Sequence, residues 1–359
     1  MVYEVNKLFS WDTEYSADSS EFCPIEKYHN YLAVGTYQLA DKQNEETSNS
    51  LSQGEIDIPK ERLGRLYLKQ LCTEEKKLIL VQQIETEAIL DMKWCQHRLR
   101  GDPVLAVANA AGLLKLFRLR PSNQEFLQLV FWCQHEIEDE NTLALSLDWS
   151  SGKDSSDDPF ITVSDSKGKI NILQLKGDEL TLVQRFHAHD FEAWITAFDY
   201  WNPNIVYTGG DDCKFRKYDV RCDPATALLT SRVHNAGVTS IHCSPFSEYL
   251  LASGSYDENI NIWDTRKMSS PQTTVSTDGG VWRLKWEPHG ENLLLAACMY
   301  NGFHVIENSE DASIVASFME HNSIAYGSDW WHGKINNSHI VASASFYDHL
   351  LCLWEFAPG

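Results

Sequence analysis

The feature that most constrains this chain is an 11-residue stretch that recurs along it. Its best copy, Ser253 to Trp263, reads Ser-Gly-Ser-Tyr-Asp-Glu-Asn-Ile-Asn-Ile-Trp and is followed by Asp264. Apolar runs at Tyr249 to Ser253 and Ile260 to Trp263 flank a polar turn at Ser255 to Asn259, which predicts a tight β-hairpin. His234 lies upstream. The spacing from His234 to Ser253, Asp257 and Trp263 is repeated residue for residue from His189 to Thr208, Asp212 and Tyr218. Weaker copies run from Val107 to Phe117, Val163 to Leu173, Ala296 to Ile306 and Ala344 to Trp354. A split copy opens at Val34-Gly35-Thr36-Tyr37 and closes at Gly64-Arg65-Leu66-Tyr67.

One such hairpin cannot bury its own faces, so copies must stack. The order His, Ser, Asp, Trp-Asp is that of a WD repeat, each repeat being one four-stranded propeller blade. The closing positions 67, 117, 173, 218, 263, 306 and 354 recur at intervals near the ~40–50 residues of propeller repeats. The expected fold is an all-β, seven-bladed WD-repeat β-propeller occupying residues 1–359 as a single domain. Asp257 in the turn reaches back to His234, and Ser253 and the Trp263 indole extend a buried network in which every member must be satisfied. Tyr3, Val5 and Phe9 alternate near the N-terminus, which predicts a strand that completes the last blade and removes an open edge. Residues 40–60 are polar and poor in large apolar side chains, which predicts a mobile insertion in blade one.

Composition then narrows the function. The formal charge of −21 repels nucleic-acid phosphates and suits a basic or cationic partner. Nine scattered cysteines without a Cys-x-x-Cys pair predict a reduced, cytoplasmic protein with neither a disulfide framework nor a zinc module. No secretory leader is expected. Apolar runs such as Leu293 to Met299 are too short to cross a membrane. A Gly-x-Ser-x-Gly elbow, a phosphate loop and a dinucleotide fingerprint are all missing, so no cofactor is expected. His187-Ala188-His189 is spaced like a metal pair, but the repeat already accounts for His189, and no metal is expected. A monomer is the expected state.

The informative positions are those just before each turn carboxylate and at the start of each inner strand, which line the mouth of the central channel. From the turns come Tyr37, Asp211, Tyr256, Met299, Tyr300 and Tyr347; at or near inner-strand starts lie Trp194, Trp282, Tyr326 and Trp330. Such a mouth fits a protein-binding face. It also fits a cage for a quaternary ammonium, which aromatic faces and carboxylates attract.

Some segments depart from the general repeat. They are Asp12-Thr13-Glu14, Ala17-Asp18-Ser19, Cys23-Pro24, Gly35-Thr36-Tyr37-Gln38-Leu39 and His321 through Trp330, to which Gly279-Gly280-Val281-Trp282-Arg283-Leu284-Lys285-Trp286 adds from the middle of the chain. Together with the blade-four and blade-five motifs, they resemble the WD-repeat diphthine methyl esterases of diphthamide biosynthesis over nearly the full chain. The resemblance implies hydrolysis of the methyl ester of methylated diphthine on translation elongation factor 2, a substrate with a trimethylammonium beside the ester. Trp286-Glu287-Pro288 stands where relatives are expected to carry Trp-His-Pro, and Glu287 reads as a strand-end turn residue. The resemblance carries no settled catalytic set. By elimination the base is a His or carboxylate at the mouth: His321, Asp329 and Asp211 are the candidates. His321 has a second reading as the blade-seven staple. Tyr37, Trp194, Tyr256, Trp282, Tyr300 and Tyr326 are the candidates for substrate binding, Tyr300 and Trp282 also as hydrogen-bond donors. Without the resemblance the same residues describe a non-catalytic scaffold that binds the elongation factor or another protein.

Overall fold

The inner strands are buried on both faces, Ala144–Trp149 throughout, whereas the outermost strands such as Tyr3–Asp12 alternate between half-buried and exposed positions. In the computed structural model, which describes residues 3–40, 61–122, 126–137, 141–153, 155–222, 226–335 and 338–358, seven four-stranded antiparallel sheets close into a propeller. The inner strands, in blade order, are Ser16–Phe22, Ile89–Trp94, Ala144–Trp149, Ile195–Asp199, Val238–Cys243, Arg283–Trp286 and Ala325–Trp330. The fourth strand of blade seven is Tyr3–Asp12, which pairs antiparallel with Leu350–Pro358 from Tyr3↔Pro358 to Asp12↔Leu350. The N-terminus thus completes the last blade as expected. Residues 41–60, which hold most of the expected insertion, lie outside the described residues.

The predicted hairpins are the second and third strands of each blade. In blade five Leu251 pairs with Trp263 and Ser253 with Asn261. The closing residues Tyr67, Trp263 and Trp354 are buried between blades, where side chains of neighbouring sheets interlock. Between blades six and seven, for instance, Leu295, Phe303, Val305 and Phe318 pack with Val341, Cys352, Trp354 and Phe356.

A second device ties the inner strands together. Trp94, Trp149, Trp286 and Trp330 each end an inner strand, and each indole N–H donates to a carbonyl of the preceding blade: Glu21, Lys93, His242 and Lys285, at 2.9–3.0 Å. Carboxylates answer in the other direction. Asp91, Asp148 and Asp329 accept the backbone N–H of Leu147, Phe198 and Phe22 in the following blade, at 2.8–2.9 Å. The closed ring thereby satisfies polar groups that a packed interior would otherwise leave orphaned.

Candidate functional site

The regular staples hold several titratable residues away from the site. In blade five the Trp263 indole donates to Ser253 Oγ at 2.9 Å, the Ser253 hydroxyl meets His234 Nε2 at 2.9 Å, and Nδ1 meets Asp257 Oδ2 at 3.0 Å. Blade four repeats this with His189, Thr208 and Asp212, both contacts at 2.8 Å. Blade seven builds a longer version. Trp354 donates to Ser343 at 3.1 Å, Ser343 meets His321 Nε2 at 2.8 Å, and Nδ1 meets Ser345 Oγ at 2.5 Å. The Ser345 hydroxyl then donates to Asp348. One extra hydroxyl bridges the distance that Asp257 spans directly. Burial pushes His321 down to about 4, against the pull of Asp348, so the ring is neutral at pH 7. His321 is therefore held in the blade-seven staple, with both ring nitrogens engaged by serines, while its half-buried ring also borders the depression shared by Tyr300 and Tyr347.

At the starts of the inner strands, aromatic side chains from five blades meet. Trp194, Tyr256 and Trp282, from blades four, five and six, form a triangle with ring centroids 5.8, 5.9 and 6.4 Å apart. Trp282 continues to Tyr326 of blade seven at 4.5 Å, Tyr326 to Phe346 at 5.0 Å, and Phe346 to Tyr37 of blade one at 5.8 Å. All but Phe346 came from the sequence pattern. Phe346 precedes the singled-out Tyr347 in the turn, and it is the ring that joins Tyr37 to the rest. Close packing at Gly237 makes room: a Cβ there would lie 2.9 Å from Asp211 Oδ1 and 3.1 Å from the Tyr256 ring. Asp211 sits at the edge of the group and accepts the Trp194 indole N–H at 3.0 Å. Burial raises the phenols of Tyr256 and Tyr326, Asp211 and Asp18 adding to the rise respectively, so both stay protonated.

Three sequence-selected residues lie elsewhere. Asp329 is three residues beyond Tyr326 on the inner strand of blade seven, where it accepts the Phe22 N–H and faces Lys285 at 3.7 Å. It lines a cavity at the far end of the channel with Glu21, Tyr200, His242 and His332, and the structure does not bring it to the aromatic group. Trp330 ends the same strand as an inter-blade clamp instead of standing at its start. Tyr300 is 81% exposed and touches none of these rings. Glu287 is buried, and its carboxylate accepts the N–H groups of His289 and Glu291 at 2.8 and 3.0 Å, which is the turn role expected of it.

Below the rings the channel is closed by charge. Arg283 of blade six reaches Asp91 of blade two at 3.0 Å, although two blades separate them around the ring; the pair therefore crosses the channel. A second crossing joins Lys285 of blade six to Glu21 of blade one. No sequence motif announced either crossing, because each joins inner strands far apart in the chain.

The repeats and the channel define a WD-repeat propeller. Residues 226–264 match the family model "WD domain, G-beta repeat". The fold superposes on a chain in the crystal structure of the mitotic checkpoint complex with a TM-score of 0.69, covering 97% of this chain and 93% of that one at 15% identity, a likeness of fold alone.

Sequence relatives give the particular family. The diphthine methyltransferase of Mus musculus is 44% identical over 334 residues, covering 89% of this chain and 68% of the relative. The Homo sapiens protein of that name is 42% identical, with 89% and 73% covered. A Dictyostelium discoideum homolog is 34% identical, with 95% and 96% covered. The chain belongs to the diphthine methyltransferase family, the WD-repeat family of diphthamide biosynthesis.

Proposed function

We propose that this protein hydrolyses the methyl ester of methylated diphthine on translation elongation factor 2, giving diphthine. The observation that carries this reading is the aromatic group at the channel mouth. Five blades deliver half-buried rings to one place, with the Asp211 carboxylate at its edge. Aromatic faces beside a carboxylate favour a quaternary ammonium, and the inferred substrate carries a trimethylammonium next to its ester. A net charge of −21 adds long-range attraction for a cationic target. The names of the relatives put diphthine and a methyl group in the reaction and leave its direction open.

Mass spectrometry separates the outcomes. Purified protein is incubated with elongation factor bearing the methyl ester, and separately with the unmethylated form and a methyl donor. Loss of one methyl group, with methanol released, is the expected result. Gain of a methyl group would reverse the direction. Binding without either change would make the protein a scaffold.

A further inference from the structure

Buried polar atoms without a partner are rare, and each one asks for a reason. Among the described residues nine side-chain atoms are of this kind, and five of them belong to Asp18, Ser19, Ser20, Trp282 and Ser328. These five come from the inner strands of blades one and seven and from the residue that opens blade six. Two of the five belong to the mouth: Trp282 is one of its rings, and the Asp18 carboxylate acts on Tyr326. The blade-one and blade-seven strands approach so closely that a Cβ on Gly327 would lie 2.7 Å from Ser19 Cα and 2.8 Å from the Asp18 carbonyl oxygen.

Asp18 stands out among the five. It is 2% exposed, and its Oδ1 accepts no hydrogen bond from the protein. Two ionisable groups from other blades act on it, the Arg283 guanidinium and the Asp91 carboxylate paired with it, and Asp18 in turn acts on the Tyr326 hydroxyl. Tyr326 is a member of the aromatic group, and Arg283 follows Trp282, another member. The free carboxylate oxygen therefore belongs to the floor of the mouth, beside the Arg283–Asp91 pair that crosses the channel. The Trp282 indole N–H is an unused donor on the ring that packs against Tyr326.

We infer that Asp18 is the general base of the site, activating water against an ester whose ammonium is held by the aromatic rings. This rests on the esterase reading above. Asp18 as carboxylate takes one proton from water, and the water oxygen forms the new bond to the ester carbonyl carbon. The carbonyl π pair moves onto its oxygen, where the Trp282 N–H and the positive charge of Arg283 stabilise it. That pair returns as the bond to the methoxy group breaks, and the proton on Asp18 leaves with methoxide as methanol. Burial drives the Asp18 carboxyl well above the ordinary range, Arg283 opposing and Asp91 adding to the rise.

The test uses D18N, which keeps shape and removes the base. Single-turnover loss of the methyl ester from methylated elongation factor is measured for both proteins across about pH 5 to 9, with affinity measured separately. In D18N the rate falls by about 10²- to 10⁴-fold, affinity stays within about threefold, and the limb that rises with pH in the wild type disappears. A D18N protein with the wild-type rate and profile overturns the inference. If D18N does not fold, the wild-type profile decides: a rate flat across that range overturns it, and a rising limb well above the ordinary carboxylate range supports it. A wild-type protein that binds without turnover instead removes the esterase reading, and this inference with it.

Discussion

The two ends of the channel are built from the same seven strands and treat polar atoms in opposite ways. At the far end Lys285 faces both Glu21 and Asp329, Lys93 meets Asp148 at 3.3 Å, and tryptophan indoles donate to carbonyls of neighbouring blades. At the mouth the Trp282 indole and the Asp18 carboxylate have buried polar atoms with no protein partner. Satisfied networks rigidify a fold, while unsatisfied ones cost stability unless something else uses them. One end therefore reads as closure of the ring and the other as a site. Four measurements test that contrast.

The largest effect is expected at the far end. Lys285→Met removes the cation between Glu21 and Asp329 and leaves two buried carboxylates facing each other. Breaking a buried pair in this way costs about 3–5 kcal/mol. The unfolding midpoint in denaturant should fall accordingly, while affinity of the folded fraction for the elongation factor is unchanged. An unmoved midpoint would remove the structural reading of that end.

The staple in blade seven gives the next effect, through pH. His321 is held near 4 in the fold against an ordinary value near ~6.5. Its folded value is depressed, so the unfolded chain binds the proton first as pH drops. The stabilisation is complete above about 6.5 and is lost as pH falls toward 4, amounting to about 2–3 kcal/mol. Subtracting the pH–stability curve of His321→Gln from that of the wild type isolates this part. A catalytic histidine open to the mouth would leave that difference flat.

Trp282→Ala tests the mouth itself. The ring is half-buried among Trp194, Tyr256 and Tyr326, and its N–H has no acceptor. Loss of a desolvated cation–π contact weakens substrate binding by about 1–2 kcal/mol. Stability should change less than that. A variant that loses several kcal/mol of stability, as truncated core side chains do, would return Trp282 to the blade packing.

How far these contrasts were legible in the sequence differs by level. The propeller was readable because the hairpin repeats and because each closing residue must fill the same gap between blades. Most mouth aromatics were readable because the repeat fixes which turn positions face the axis. Asp329 misled because it precedes Trp330 at the end of an unusual motif. Asp148-Trp149 places the same pair at the end of the blade-three inner strand, and that comparison held the signal for a clamp. Asp18 and the Arg283–Asp91 crossing were beyond reach, since closure of the ring, and no local pattern, brings them together.

The smallest effect is expected at Tyr300, and it sharpens the comparison by marking where the mouth stops. Tyr300 and Tyr347 are 81% and 70% exposed, and they line a shallow depression with Met319, His321 and Asn322. Tyr256 packs against Trp194 and Trp282, whereas Tyr300 contacts none of that group. A side chain so exposed contributes little to the fold, so Tyr300→Ala should change stability by less than about 0.5 kcal/mol. It packs against none of the rings of the group, so tetramethylammonium should bind wild type and variant alike. A protein substrate covers more surface and presses on such a rim, where single contacts are commonly worth under about 1 kcal/mol. The affinity for elongation factor should therefore fall slightly while that for the small cation is unmoved. Equal losses for the two ligands would extend the cage to Tyr300 and erase the boundary drawn here.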